Sequence, residues 1–292
     1  MTSFAPETIF WIGRFPVTNT VINTILVDGF LLVLAFLTRA KLALIPGKFQ
    51  NIVEYIFSGL YGFVENVADK KTSAIFPVFM TFFLFIIVAN LSGLIPGIGT
   101  IGIYQQVIKD GKTITEFIPF NRATTSDLNT TLALAIVSIV ITNGYAIHKL
   151  GLREYLTKFF AFIPLLISIG QGKPNIKVNL KNPLEVFIAV LTPIVMIFVG
   201  FLELLSEFVK AVSLSFRLFG NIYAGDVVLN TVHSMFAFIF PIPFLMLELI
   251  AGSIQALVFA MLTMVFMIIL SSSHQEDEGQ GKGPPPGDPQ AP

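Results

Sequence analysis

The sequence predicts an all-α polytopic membrane protein with about five membrane-spanning units. Three observations predict it. Of 292 residues, 54% are hydrophobic and only 12% charged, and the mean hydropathy is +0.80. A soluble domain carries about 25% charged residues, so this chain has too few charges to cover a water-exposed surface. Apolar runs of about 20 residues, the length that crosses roughly 30 Å of hydrocarbon, recur along the chain. Ionisable residues then sit inside the last two of those runs, where a soluble core would not place them.

The elements follow in order. The first 20 residues lack a basic leader with a continuous apolar run, so no cleavable signal peptide is expected, and they lack the Arg- and Ser-rich character of a transit peptide. The first span is expected at 19–38. Residues 46–67 place Phe49, Ile52, Val53, Ile56, Phe57, Leu60 and Phe63 at helical spacing among polar residues. That pattern predicts an amphipathic helix at the membrane interface or packed under the bundle. The second span is expected at 75–96 and the third at 129–147, separated by a polar loop over 104–128.

A basic loop over 149–182 follows. The fourth unit runs without a break from 183 to 232, and the fifth covers 241–270. A helix of about 45 residues would be nearly 70 Å long, so the fourth must tilt, lie along the membrane or break. The whole of 1–272 reads as one membrane domain. The tail, 273–292, is Pro/Gly-rich with no apolar periodicity and is expected to be disordered. A long tilted helical hairpin at the C-terminal end is the architectural expectation.

Basic residues set the expected orientation. Arg39, Lys41, Lys48, Lys70 and Lys71 fall in the loop after the first span, and Lys149, Arg153, Lys158, Lys173, Lys177 and Lys181 in the loop after the third. Arg14, Lys109, Lys112 and Arg122 fall on the opposite side. The richer side should be cytoplasmic, with the N-terminus outside and the tail inside. The formal net charge is zero, so no basic surplus invites nucleic acid. There are no cysteines, and His148, His233 and His274 show no metal-binding spacing, so no metal or cofactor is expected.

A charge at membrane depth costs about 2.5–3.5 kcal/mol even on the gentler insertion scales. Glu203, Glu207, Lys210, Arg217, Asp226 and Glu248 are six such residues, with the amides of Asn221 and Gln255 beside them. Internal salt bridging would account for Glu207 and Lys210. It does not account for Arg217, Asp226 and Glu248. At roughly 100° per residue, Glu203, Lys210, Arg217 and Asn221 fall within about 40° of one another's face around Arg217, while Asp226 lies about 180° away. Glu248 and Gln255, seven apart, share a face of the last span. This suggests two polar routes on different sides of one arginine, neither crossing the membrane alone. Gly220 and Gly225 could bend the region and shift the angle.

The stretch SLSFRLFGNIYAGD, 213–226, closely resembles the signature of subunit a of F-type ATP synthases, an Arg-Leu-Phe-Gly-Asn core followed by Ala-Gly and an acid. PGKFQNIVEYI (46–56), NLSGLIP (90–96), DLNTTLALA (127–135) and GSIQALVFAMLTMVF (252–266) are similar in the same order, so that the resemblance covers about residues 40–272. Two positions depart from it: Asp226 stands where many relatives carry Glu, and Glu248 where some carry His.

The resemblance implies a non-catalytic stator subunit in the bacterial cell membrane. It would sit beside a rotating ring of c subunits, with peripheral-stalk b subunits and the rest of the complex as partners. It implies that Arg217 faces the ring carboxylates and separates two half-channels. Asn221, Asp226, Glu248 and Gln255 would line the outer one, with Asp127 near its mouth. Glu203 and Ser206 would line the inner one, and Tyr223 and His233 would pack at interfaces. No GxxxxGK[ST] nucleotide motif occurs. An ion-coupled secondary transporter is the alternative, but such proteins usually show two similar halves and none is visible here. An intramembrane protease would need a nucleophile with a base, and Ser253 and His274 have no supporting constellation.

Overall fold

The computed structural model describes residues 6–40, 42–95, 97, 101–109, 112–152, 155, 183–235 and 241–271. The tail expectation, 273–292, and almost all of the basic loop lie outside the described residues. Six helices carry the fold: α1 (Asn19–Ala40), α2 (Lys48–Ala68), α3 (Thr72–Leu94), α4 (Leu128–Leu150), α5 (Pro183–Met235) and α6 (Pro241–Leu270). Among the described residues four helical stretches are long and apolar enough to cross a membrane: Asn19–Ala40, Lys48–Leu94, Leu128–Leu150 and Pro241–Leu270. The fourth expected unit is the single 53-residue helix α5. Its apolar face is interrupted by Glu203, Glu207, Lys210, Arg217 and Asp226.

Two antiparallel hairpins stand where the sequence reading had no strand. β1 (Thr8–Ile12) pairs with β2 (Phe15–Thr18), closed by Gly13–Arg14. Gly13 takes φ +64°, as the first residue of a type II′ hairpin turn requires. β3 (Gly102–Lys109) pairs with β4 (Lys112–Pro119) within the expected polar loop. Alternating residues such as Tyr104, Gln106, Ile108 and Thr113, Thr115, Phe117 carry the period-2 pattern, and their polar content hid it among loop signals.

The chain divides into two compact units: residues 1–139 with 209–264, and residues 140–208 with 265–292. In the first, α2 lies along α3, with Phe57 and Tyr61 edge-on to Phe76 at 6.4 and 5.0 Å between centroids. Gln50 fixes the start of α2 from within the preceding linker: its amide accepts from Ala43 N and donates to Ala43 O, both at 3.1 Å. The apolar core of this unit centres on Phe79, Phe82, Ile86, Leu218, Phe259 and Met264. In the second unit, Ala146, Tyr155 and Leu270 form a small buried cluster with Ile147 against it.

Candidate functional site

Polar side chains at the N-terminal end of α1, the end of α3, the start of α4 and the facing parts of α5 and α6 are buried together in the first unit. Each must find a partner there, because an unpaired polar group away from water costs about 1–3 kcal/mol. Asn90 of α3 is the central clamp. It donates to Gly252 O of α6 at 2.9 Å and accepts from Thr125 Oγ1 at 2.5 Å. Gly252 packs closely here, and a β-carbon there would stand 3.3 Å from Asn90 Cβ, so that Asn90 would have to give by a few tenths of an ångström. Asn23 of α1 donates to Ser92 Oγ at 2.9 Å and to Arg122 O at 3.0 Å. Thr131 of α4 and Ser215 of α5 share a hydrogen bond at 3.2 Å, and Ser138 and Thr263 another at 2.8 Å.

Asp127 is engaged through both oxygens. Oδ1 accepts from Asn129 N at 2.9 Å, which makes Asp127 the N-cap of α4, and Oδ2 accepts from Thr20 Oγ1 at 3.1 Å. An N-cap of this kind is worth about 1 kcal/mol. The structure thus gives Asp127 a helix-starting and bracing task.

Asp226 and Glu248 come together across α5 and α6. The two carboxylates lie within electrostatic range of each other. Gly225 leaves space for the Glu248 carboxylate: a β-carbon at that position would stand 2.5 Å from Glu248 Oε1 and 2.6 Å from its carboxyl carbon, and the end of that side chain would have to swing aside. Glu248 is buried, with Oε2 lacking any hydrogen-bond partner among the described residues. Gln255, two turns on along the same face, is also buried, and its Nε2 likewise has no partner among the described residues. Asn221 donates to Ala251 O of α6 at 3.4 Å.

Two residues join this site that sequence reasoning did not assign to it. The Arg122 guanidinium lies within electrostatic range of Asp226, and Ser126 stands beside the same carboxylate with its hydroxyl donating to Ala123 O at 2.8 Å. Arg122 Nε in turn donates to Ser126 Oγ at 3.0 Å. The i, i+4 spacing of the two was the available signal, but it falls on the 3-10 turn before α4 rather than on a helix.

Arg217 is on the opposite side of α5. Leu214, Ser215, Leu218, Phe219 and Ile222 are buried, whereas Ser213, Phe216, Arg217, Gly220, Asn221 and Ala224 are exposed. Among the described residues Arg217 has no hydrogen bond or ion pair. Tyr223 stacks on Phe219, with ring centroids 5.2 Å apart, as a packing residue does, and His233 is exposed.

Glu203 and Ser206 belong to the second unit, where Ser206 is exposed and Glu203 partly buried. Glu203 and Glu207 both act on Tyr155, whose phenol is pushed up to about 12 by burial first and then by Glu207 and Glu203. Glu203 and Glu207 thus both lie within electrostatic range of Tyr155. Among the described residues no group of three or more acids or histidines is placed to hold a metal ion.

Helices of membrane length, with a carboxylate pair and unpaired polar atoms buried between them and a lone arginine on an outer face, define a multi-pass membrane protein equipped to handle ions. The chain belongs to the ATP synthase A chain family, whose profile matches residues 20–268. It is similar to the ATP synthase subunit a of Moorella thermoacetica, 31% identical over 274 residues that cover 94% of this chain and 100% of the relative. The ATP synthase subunit a 2 of a Bradyrhizobium species is 28% identical, covering 89% of this chain and 91% of the relative. That of Desulfotalea psychrophila is 31% identical over 83% and 80%.

Proposed function

We propose that this chain is the stator ion-channel subunit of an F-type ATP synthase. It carries protons through two offset half-channels to and from a rotating ring of c subunits, and so couples ion flow to ATP synthesis. The observation that carries this reading is Arg217: a permanent cation on an exposed helix face, with no acidic partner among the described residues. An arginine at membrane depth is costly unless it meets an opposite charge. A carboxylate presented by a ring subunit supplies that charge. Asn221 and Gly220 on the same face leave room for the ring to pass.

In this reading a proton arriving at Asp226 and Glu248 neutralises the ring carboxylate beside Arg217. The neutral carboxylate faces lipid as the ring turns. After nearly a full circle it releases its proton by the inner route, which Glu203 lines together with Ser206. The driving energy is about 2.3 kcal/mol per charge per 100 mV. Gln255 continues the outer route along α6, and Asp127 braces the start of α4 beside it. The chain itself is non-catalytic; torque reaches the catalytic head through its partners, with peripheral-stalk b subunits holding it still. The N-terminus lies outside and the tail in the bacterial cytoplasm, as the basic residues direct.

The test is copurification from solubilised membranes. A ring of small hydrophobic subunits should accompany the chain, and Arg217→Glu should weaken that association or lock it. Isolation of the chain in full yield without any such ring would overturn the reading.

A further inference from the structure

The β1–β2 hairpin carries an exposed cluster of large apolar residues outside the helices. Phe10 is 47% exposed, Trp11 65%, Ile12 64% and Phe15 80%. The register pairs Ile12 with Phe15 and Phe10 with Val17, so these four share one face, while Trp11 and Pro16 share the other. Ile9, unpaired at the irregularity in the ladder between Thr8 and Phe10, is buried against the chain. The tip thus offers aromatic surface on both faces, with the exposed Arg14 between them at the turn.

The base of the hairpin is fixed at the end of a candidate membrane span. β2 ends at Thr18 and α1 begins at Asn19, with no linker, and Asn19 N donates to Glu7 O at 3.1 Å, tying the hairpin base to the helix start. Asn19–Ala40 is itself a candidate membrane span. Strands of four to five residues reach about 15 Å from that point at about 3.3 Å per residue. The headgroup layer next to the hydrocarbon is about 5–7 Å deep on each side. Upright, the tip would pass beyond that layer; lying along the surface, the hairpin keeps its aromatic residues in the interfacial zone where amphipathic rings gather.

We propose that the β1–β2 hairpin is an interfacial anchor whose partner is the lipid surface. Trp11, Ile12 and Phe15 seat at the boundary between headgroups and acyl chains, and Arg14 reaches back to lipid phosphate. The chemistry matches the residues one by one. Indole and phenyl rings gain from leaving water, the indole N–H keeps a polar partner at the interface, and a guanidinium on a flexible stem pairs with phosphate. The anchor would fix the depth and tilt of α1, and through Asn19, Thr20 and Asn23 the polar cluster that α1 supports.

Trp11 is the only tryptophan in the chain and there are no cysteines, so both probes are clean. The full chain is reconstituted in vesicles of phosphatidylcholine and phosphatidylglycerol, using lipids brominated either near the headgroup or near the chain end. Trp11 emission should be blue-shifted and roughly halved by the shallow bromines, less affected by the deep ones, and protected from aqueous acrylamide, as for a ring about 5–10 Å into the boundary. In the assembled complex, a spin label on Phe15→Cys, with partner cysteines blocked, should collide with oxygen more than with an aqueous nickel chelate. Acrylamide quenching as strong as for a free indole overturns the anchor. So does a Phe15 label that neither oxygen nor the chelate reaches, because the hairpin would then be covered by another subunit.

Discussion

The carboxylate of Glu248 occupies the space into which a β-carbon at Gly225 would project, with Oε1 only 2.5 Å from that position. The glycine next to the site acid therefore leaves room for that carboxylate, and any larger residue there would push the flexible end of Glu248 aside.

Gly225→Ala tests this directly. In a helix interior alanine is favoured over glycine by about 0.5–1 kcal/mol, so the helix alone would gain. The new methyl must displace Glu248, and ATP-driven proton pumping in inverted vesicles should fall severalfold at normal levels of assembled complex. Glu248→Asp, which withdraws the carboxylate by one methylene, should recover part of the loss. Normal pumping by Gly225→Ala would mean that α5 and α6 approach less closely than described.

Neighbouring carboxylates take up and release protons as a pair. Asp226→Asn should slow transport strongly, and Glu248→Gln at least partly, with rescue by an acid or histidine placed nearby. A doubly neutral variant that turned over at the normal rate would remove these residues from the proton route.

Arg122 and Ser126 approach Asp226 from the turn before α4. Arg122→Gln should reduce ATP-driven pumping and shift its pH profile, because the carboxylate loses its nearest cation. Ser126→Ala removes the acceptor of the Arg122 Nε–H, a bond worth about 1 kcal/mol, and should have the smaller effect. Pumping rates across a pH series separate the two; an unchanged profile for Arg122→Gln would limit that residue to bracing the loop through Asn23 and Ser126.

Arg217 carries a guanidinium that stays charged at any physiological pH. Arg217→Ala should abolish ATP synthesis driven by an ion gradient, while passive proton flux after removal of the catalytic head persists. Arg217→Lys should fail or nearly so, since lysine can lose its proton when desolvated. Near-normal synthesis with alanine at this position would sink the stator reading itself.

Much of this was legible because membrane helices write themselves in long apolar runs. α1 begins at Asn19, where the apolar run of the first span begins. Arg217, Asp226 and Glu248 stood out because charge inside such a run has few explanations. The hairpins did not stand out. Their short strands alternate residues such as Gln106 with Ile108 and Thr115 with Phe117, which reads as loop when pairing partners are unknown. Arg122 was counted only as a loop charge, because its approach to Asp226 bridges more than a hundred residues and leaves no local pattern. Asp127 carried a resemblance to a channel residue, whereas its capping of Asn129 and its bond to Thr20 depend on where α1 begins.

Glu248 Oε2 and Gln255 Nε2, each without a protein partner among the described residues, set a limit on robustness. Each such atom costs about 1–3 kcal/mol if left dry, against a total of about 5–15 kcal/mol for an ordinary domain. Gln255→Leu would remove one of these penalties and should raise the thermal midpoint of the membrane sector while slowing proton entry. The α5–α6 pair is thus held softer than its packing permits, and substitutions that toughen it by making its interior wholly apolar also insulate it.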